Sequence, residues 1–330
     1  MNRLLTLPPA FLLAGGAVGG HEERLGAFGE AFDFCCEDDR FGMPSWELAE
    51  GEMARMSLSF ALDKAGLAPD GLDLLLGGDL QNQCVATSQG LSSLGVPFLG
   101  LFGACSTMVE GLGVAALALA GSSSLSHVAA VSSSHNAAAE RQFRTPLEYG
   151  AQRTPTAQWT ATAAGAVILG REASGVAIDA FLPGRIRDAG INDAANMGAA
   201  MAPAAADTLL AYFEETGERP EDLDLILTGD LGREGTVLLR TLLSERLPTL
   251  GRVHEDGGRI LYTEAQDSHA GASGCGCIAS LLAGVFLPRM MRKEVRRMLA
   301  VGTGALMNPG SLQQGGSIAG VAHLIRITEV

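Results

Sequence analysis

The sequence predicts an α/β protein made of two pseudo-duplicated, βαβ-rich halves with mainly parallel sheets. Three observations carry this. A 17-residue stretch recurs once without a gap, short apolar runs alternate with longer Ala/Leu-rich ones, and the composition is poor in charge but rich in glycine.

The composition bounds the class. Of 330 residues, 47% are hydrophobic, 18% charged and 5% aromatic, with 43 glycines. Such a chain buries a large core, and small residues let helices lie close on a sheet. Lys and Arg total 23 against 37 Asp and Glu, a net charge of −14. An acidic surface repels phosphate backbones, and no basic patch interleaved with aromatics occurs, which speaks against nucleic-acid binding. The six cysteines form neither a CxxC pair nor a zinc-type cluster with histidine, so the chain reads as reduced, without a structural metal. The adjacent Cys35 and Cys36 imply no disulfide.

The N-terminal "MNRLLTLPPAFLLAGGAVGG" loosely imitates a secretory signal, but Pro8-Pro9 interrupts it and "AFLLAGG" reads equally as a buried first strand. "GGAVGG" lacks the spacing of a dinucleotide loop. No run approaches the ~18 apolar residues of a membrane span, and "CIASLLAGVFLP" has the length of a core helix. The expectation is a protein with no transmembrane segment.

The repeat pairs "KAGLAPDGLDLLLGGDL" (64–80) with "ETGERPEDLDLILTGDL" (215–231), Leu72 standing against Leu223 at an offset of 151. In each copy a helix ends at glycine, where a left-handed residue is cheap, and proline blocks its continuation. A turn then feeds an apolar run bounded like a buried strand. The join between the halves falls near "ILGREASGVAI", which gives halves of 1–171 and 172–330.

Further along the first half, "VPFLGLF" passes through Gly103-Ala104 to Cys105 and then an Ala/Leu/Val-rich helix. A thiol at a helix N-terminus gains thiolate character from the dipole and the unpaired N–H groups. A buried Cys105 without chemistry is the plainer alternative. Asp79 ends the strand of the first repeat copy, where α/β ligand sites collect. It reads equally as a turn or cap residue, and its repeat mate Asp230 shows a structural use for the position. His135 and Asn136 end the strand "HVAAVSSS", and His269 in "QDSHAGASG" could reach the same region from the second half. Arg141 and Arg144 suit a carboxylate ligand or internal ion pairs with Glu140 and Glu148. The basic "RMMRKEVRR" (289–297) reads as a solvated helix end or as a contact for a membrane surface or partner.

Two similar halves with a cysteine opening a helix of the first resemble the thiolase-like fold, which includes the thiolases and the β-ketoacyl carrier-protein synthases. "ATAAGAVILG" resembles the strand closing the first half of such synthases. More specifically, "GDLQNQ", "FGACST", "SSHNAAAERQFRTPLEYG", "MGAAMAPAAADT", "DLILTGDL" and "TGALMNP" together resemble the stage V sporulation protein AD family over nearly the whole chain. The resemblance implies a layered αβαβα architecture and a homodimer. It further implies a forespore or spore protein peripheral to the inner spore membrane. Such a protein binds dipicolinic acid, with or without calcium, and works with the SpoVA membrane proteins in uptake during sporulation and release during germination. No cofactor is called for.

The resemblance also shows departures. Where the synthases carry a histidine after the strand matching "LDLILTG", this chain has Gly229 and Asp230. Their turn asparagine is missing from "AGASGCGC", and the late cysteine loop of the thiolases is "VGTGALMNPG", without cysteine. Each lost proton-transfer partner forfeits roughly 10²–10⁴-fold in rate. The expectation is a non-catalytic ligand site in a former acyl pocket lined by Cys105, Asp79, His135, Asn136 and His269. Its rivals are an acyl-transfer enzyme using Cys105 with His135 or His269 as base, and a scaffold docking to membrane partners through "RMMRKEVRR".

Overall fold

A computed structural model describes residues 3–143 and 153–330. Arg144 and Glu148 lie outside the described residues. The strands, in chain order, are β1 (Leu5–Gly19), β2 (Phe34–Cys35), β3 (Leu74–Gly78), β4 (Phe98–Gly100), β5 (His127–Ser134), β6 (Trp159–Thr160) and β7 (Ala163–Gly170). There follow β8 (Val176–Leu182), β9 (Leu225–Thr228), β10 (His254–Asp256), β11 (Ala272–Ser273), β12 (Arg297–Leu306) and β13 (Ala319–Glu329). Eleven of them form one sheet in the order β10-β9-β12-β13-β8-β1-β7-β5-β3-β4, with β2 beside β1, while β6 and β11 pair separately.

The sheet is the repeat drawn in space. Counted outward from the β1–β8 seam, one side runs β1-β7-β5-β3-β4 and the other β8-β13-β12-β9-β10. Both use their strands in the same order, first, fifth, fourth, second, third. The pairing directions match too. β3–β4, β3–β5, β9–β10 and β9–β12 are parallel, and β5–β7, β1–β7, β12–β13 and β8–β13 are antiparallel. The sheet is therefore mixed rather than mainly parallel, a correction to the sequence expectation. Apolar runs reveal burial on both faces but not direction, and the closing strands β7 and β13 return antiparallel.

The repeated residues have matching duties. Gly66 and Gly217 adopt left-handed φ of 67° and 72° at the ends of helices Trp46–Ala65 and Met197–Thr216. Pro69 and Pro220 open one-turn 3₁₀ segments. Asp73 Oδ2 accepts the backbone N–H groups of Ser126 and His127 at 2.6 and 3.0 Å, and Asp224 Oδ2 accepts those of Arg296 and Arg297 at 2.7 and 3.0 Å. Each aspartate pins the start of the strand beside its own.

Helix Thr107–Gly121 packs on β1, β3 and β5 of one side and on β8, β12 and β13 of the other, so it occupies the space between the two. Trp46–Ala65 covers β1, β5 and β7 from outside, and Met197–Thr216 covers β12 and β13. The helix beginning at Cys275 crosses β7 so closely that a Cβ on Gly165 would run into the backbone of Ala279. Glycine is required there for want of space.

This central position corrects the statement about membrane-length runs. Ala104–Gly121 is 18 residues with mean hydropathy 1.5, long and apolar enough to cross a bilayer, yet 61% of it is buried inside the protein. A helix enclosed by sheets must be apolar on every face, which gives it the composition of a span. The first strand reading of the N-terminus holds: "AFLLAGG" lies within β1, and its pairing with β8 shifts register between Thr6 and Ala10, around Pro8-Pro9, which donate no N–H.

Candidate functional site

A cavity of about 260 Å³ opens at the carboxyl ends of the strands. Leu80 comes from just after β3, Cys105 from after β4, Phe143 from the helix Asn136–Phe143 after β5, and Leu306 from the end of β12. Phe102 and Met197 complete the apolar lining, and Thr160, Ser273, Asn308 and Glu140 add polar atoms. Ligands collect at such strand ends because loops there can vary without disturbing the sheet.

Local backbone chemistry presents the cysteine. Ala104 has a left-handed φ of 52°, unusual for a residue with a Cβ. The Ser106 hydroxyl donates to the Gly103 carbonyl at 2.6 Å and that of Thr107 to the Ala104 carbonyl at 2.7 Å, holding the strained turn. Cys105 therefore sits on a tight turn opening helix Thr107–Gly121, 4% exposed, packed with Leu80, Ala139, Cys275 and Phe143.

What meets the thiol is Asp230. The Cys105 thiol faces its carboxylate, and each shifts the titration of the other. That carboxylate accepts from Gly274 N at 2.8 Å, Thr303 Oγ1 at 2.9 Å and Ser273 Oγ at 3.1 Å. Asp230 follows β9 directly, at the point where the resemblance calls for a histidine. Burial raises the Asp230 carboxyl above the usual carboxylate range. Burial, reinforced by the charge of Asp230, holds the Cys105 thiol well above its ordinary value. An imidazolium beside a thiol favours thiolate, whereas a carboxylate opposes it. The pair keeps Cys105 protonated, the reverse of an activated nucleophile.

Of the five residues expected to form the site, the structure brings only Cys105 to the cavity. Asp79 is fully buried, with Oδ1 accepting from Gln81 N at 2.9 Å and Oδ2 from Thr87 N and Oγ1 at 2.8 and 2.6 Å. It folds the turn after β3 and does not line the cavity, in keeping with its alternative reading as a turn residue. His135 points the other way, Nε2 lying 2.9 Å from the Asp39 carbonyl and its ring on Trp46. Asn136 is used internally, its N–H donating to Thr162 Oγ1 and its Nδ2 to the Thr160 carbonyl. His269 is bound to the Thr154 carbonyl at 2.8 Å and faces Asp267. Arg141 pairs with Glu47, while Glu140 lines the cavity. The basic segment is only partly offset, three carboxylates sharing five cations: Arg289 and Arg292 meet Glu294, Lys293 and Arg296 meet Glu329, and Arg297 meets Glu218.

Sequence reasoning missed Phe102, Thr160, Met197, Ser273 and Asn308 as lining, and the role of Asp230. The offset pairing with Asp79 drew attention to Asp230, but its partners Ser273 and Thr303 are far along the chain and carry no motif. All six cysteines are free thiols.

The fold is thiolase-like, and comparison with solved structures agrees. Similar folds include 3-oxoacyl-[acyl-carrier-protein] synthase III from Aquifex aeolicus VF5, with TM-score 0.58 and 12% identity over 97% of this chain and 99% of that one. Another is cerulenin-bound OleA of Xanthomonas campestris, with TM-score 0.62 and 14% identity over 98% of both chains. A sequence profile of the stage V sporulation protein AD (SpoVAD) family matches residues 4–328. The stage V sporulation protein AD of Bacillus subtilis (strain 168) is 39% identical over 315 residues, 96% of this chain and 93% of that protein. The chain belongs to the stage V sporulation protein AD family, on a thiolase-like fold.

Alkylation of Cys105, followed by peptide mass spectrometry, tests the thiol–carboxylate pair. At neutral pH Cys105 is expected to react at least about tenfold more slowly than an ordinary free thiol. Asp230→Asn removes the opposing charge and is expected to lower the pH at which Cys105 becomes reactive. An unchanged pH profile in that variant would show that the carboxylate does not restrain the thiol.

Proposed function

We propose that the cavity over Cys105 binds dipicolinic acid without catalysis, supporting its uptake into the forespore and its release in germination. The observation that carries this reading is Asp230 on the Cys105 thiol, a carboxylate where a condensing site needs a base and a thiolate. Family membership supplies the sporulation context, and the retained cavity supplies room for a single aromatic ring between apolar walls that include Phe102 and Phe143.

The charge balance points to the form of the ligand. Asp230 places a carboxylate beside the cavity, against Cys105, and no Lys or Arg is among the described lining residues. A ligand dianion then needs its charge offset, by calcium chelated to it or by a proton. Helices Thr107–Gly121 and Met197–Thr216 both begin at the cavity, and their N-terminal ends favour a carboxylate. Cys105 lines the pocket rather than attacks.

Acyl transfer gains no support, because His135 and His269 are bound to backbone carbonyls away from the thiol. Docking through the 289–297 segment keeps only a small charge excess, since three carboxylates share its five cations. We place the protein at the periphery of the inner spore membrane, with the SpoVA membrane proteins as partners. A second copy is proposed along the edge strand β4, where Phe98 and Leu99 are exposed. Sedimentation velocity tests this: Leu99→Glu is expected to give monomers, and an unchanged state would rule this edge out.

Titration calorimetry with dipicolinate, with and without calcium, tests the binding reading. Saturable binding is expected in the wild type. It should weaken by about tenfold or more in Ala139→Phe, which fills the cavity, and measurably in Cys105→Ala. No binding in either condition, or binding that ignores both substitutions, would overturn it.

A further inference from the structure

Immediately behind Leu80, two carboxylates are buried together. Glu50, on helix Trp46–Ala65, is 1% exposed, and Asp79 is 0% exposed. Glu50 accepts from Gln81 Nε2 at 2.6 Å, from Ser133 Oγ at 3.2 Å and from the His135 backbone N–H. Asp79 holds Gln81 N and Thr87, so both acids grip the same loop. Among the described residues neither is paired with a cation. The other titratable groups that face them are the thiols of Cys84 and Cys275, both held protonated, first by burial. The His135 ring is turned away to Asp39 and Trp46.

The loop they grip is strained and reaches the cavity. Gln83 and Cys84 are consecutive non-glycine residues with left-handed φ of 57° and 52°. Such a pair persists only where surrounding contacts over-determine it. Gln142 ties the loop across to helix Asn136–Phe143, donating to the Leu80 carbonyl at 3.1 Å and accepting from Asn82 N at 3.2 Å. Leu80 and Phe143, at the two ends of this clamp, both line the cavity.

Two carboxylates in one dry pocket without a cation cannot both be ionised at small cost. We propose that Glu50 and Asp79 hold one proton between them, and that this proton keeps the 80–87 loop clamped as a wall of the ligand cavity. With the proton in place Gln81 and Thr87 are held and the strained pair is enforced. Its loss as pH rises sets two charges against each other and loosens the wall. The proposal makes the site described above proton-dependent; it rests on the binding reading only for what fills the cavity.

Burial and the neighbouring Asp79 charge keep Glu50 protonated well above the ordinary carboxylate range. Folding therefore takes up a proton at Glu50, and stability falls as pH rises through the folded-state titration. Ligand-free thermal unfolding of the full chain, from about pH 5 to about pH 9, reads this directly in the wild type, Glu50→Gln and Asp79→Asn. Relative to Glu50→Gln, the wild type is expected to lose up to about tenfold in its folded-to-unfolded ratio per pH unit where the pair titrates; relative to Asp79→Asn the loss is smaller, because burial alone still raises Glu50 there. Glu23 and Asp256, each raised by burial to about 7, titrate in all three proteins and cancel in the differences. Hydrogen exchange at one alkaline pH is expected to be faster at Gln81 and Thr87 in the wild type than in Glu50→Gln. Parallel unfolding curves, or equal exchange at these two amides, would overturn the proposal. Neither readout uses dipicolinate, so failure here is distinct from failure of the binding reading.

Discussion

The pairing of the Cys105 thiol with the Asp230 carboxylate is the constraint on which the rest of the site depends. It joins the halves of the molecule, since Cys105 opens the central helix of the first and Asp230 lies just past β9 of the second. Around the carboxylate, Thr303 of β12 and the Ser273-Gly274 turn supply three donors. The loop carrying it is fixed from behind by Asp256, which accepts from Leu231 N and Gly232 N at 2.9 and 2.8 Å and from Thr228 Oγ1 at 2.6 Å. A buried carboxylate persists only with its acceptor sites filled, and this one has them filled. The same arrangement that stabilises the acid suppresses the thiolate, so packing and loss of nucleophilicity have one cause.

That coupling explains how a condensing-enzyme scaffold can keep its cavity. The strained turn at Ala104, the helix dipole behind Cys105 and the strand-end cavity all derive from backbone geometry. The remaining features, apolar walls and helix N-termini, favour holding a small acid over transforming it.

Much of the fold was legible because it is written twice. Gly66 and Gly217, Pro69 and Pro220 each act locally, ending a helix or turning the chain toward the next strand, and local duties leave local patterns. Strand direction in β7 and β13 did not show, because an apolar run reads the same either way. The run Ala104–Gly121 reads as interrupted, by Glu110 and its glycines, although its mean hydropathy of 1.5 suits a span. For the site, Cys105 was legible from its turn. Asp79, His135, Asn136 and His269 were chosen for residue type, and the structure spends all four on backbone contacts. Residue type identifies what a side chain can bind, whereas its partners decide whether it is free to do so. The partners of Asp230 lie 43 and 73 residues away in sequence, beyond the reach of spacing arguments.

Intact-mass spectrometry of the protein after incubation with acyl-CoA thioesters tests the central claim most directly. With Asp230 holding the Cys105 proton, the mass is predicted to stay that of the unmodified chain, in the wild type as in Cys105→Ala. An acyl increment in the wild type that disappears in Cys105→Ala would show a working nucleophile. The site would then be an active condensing centre.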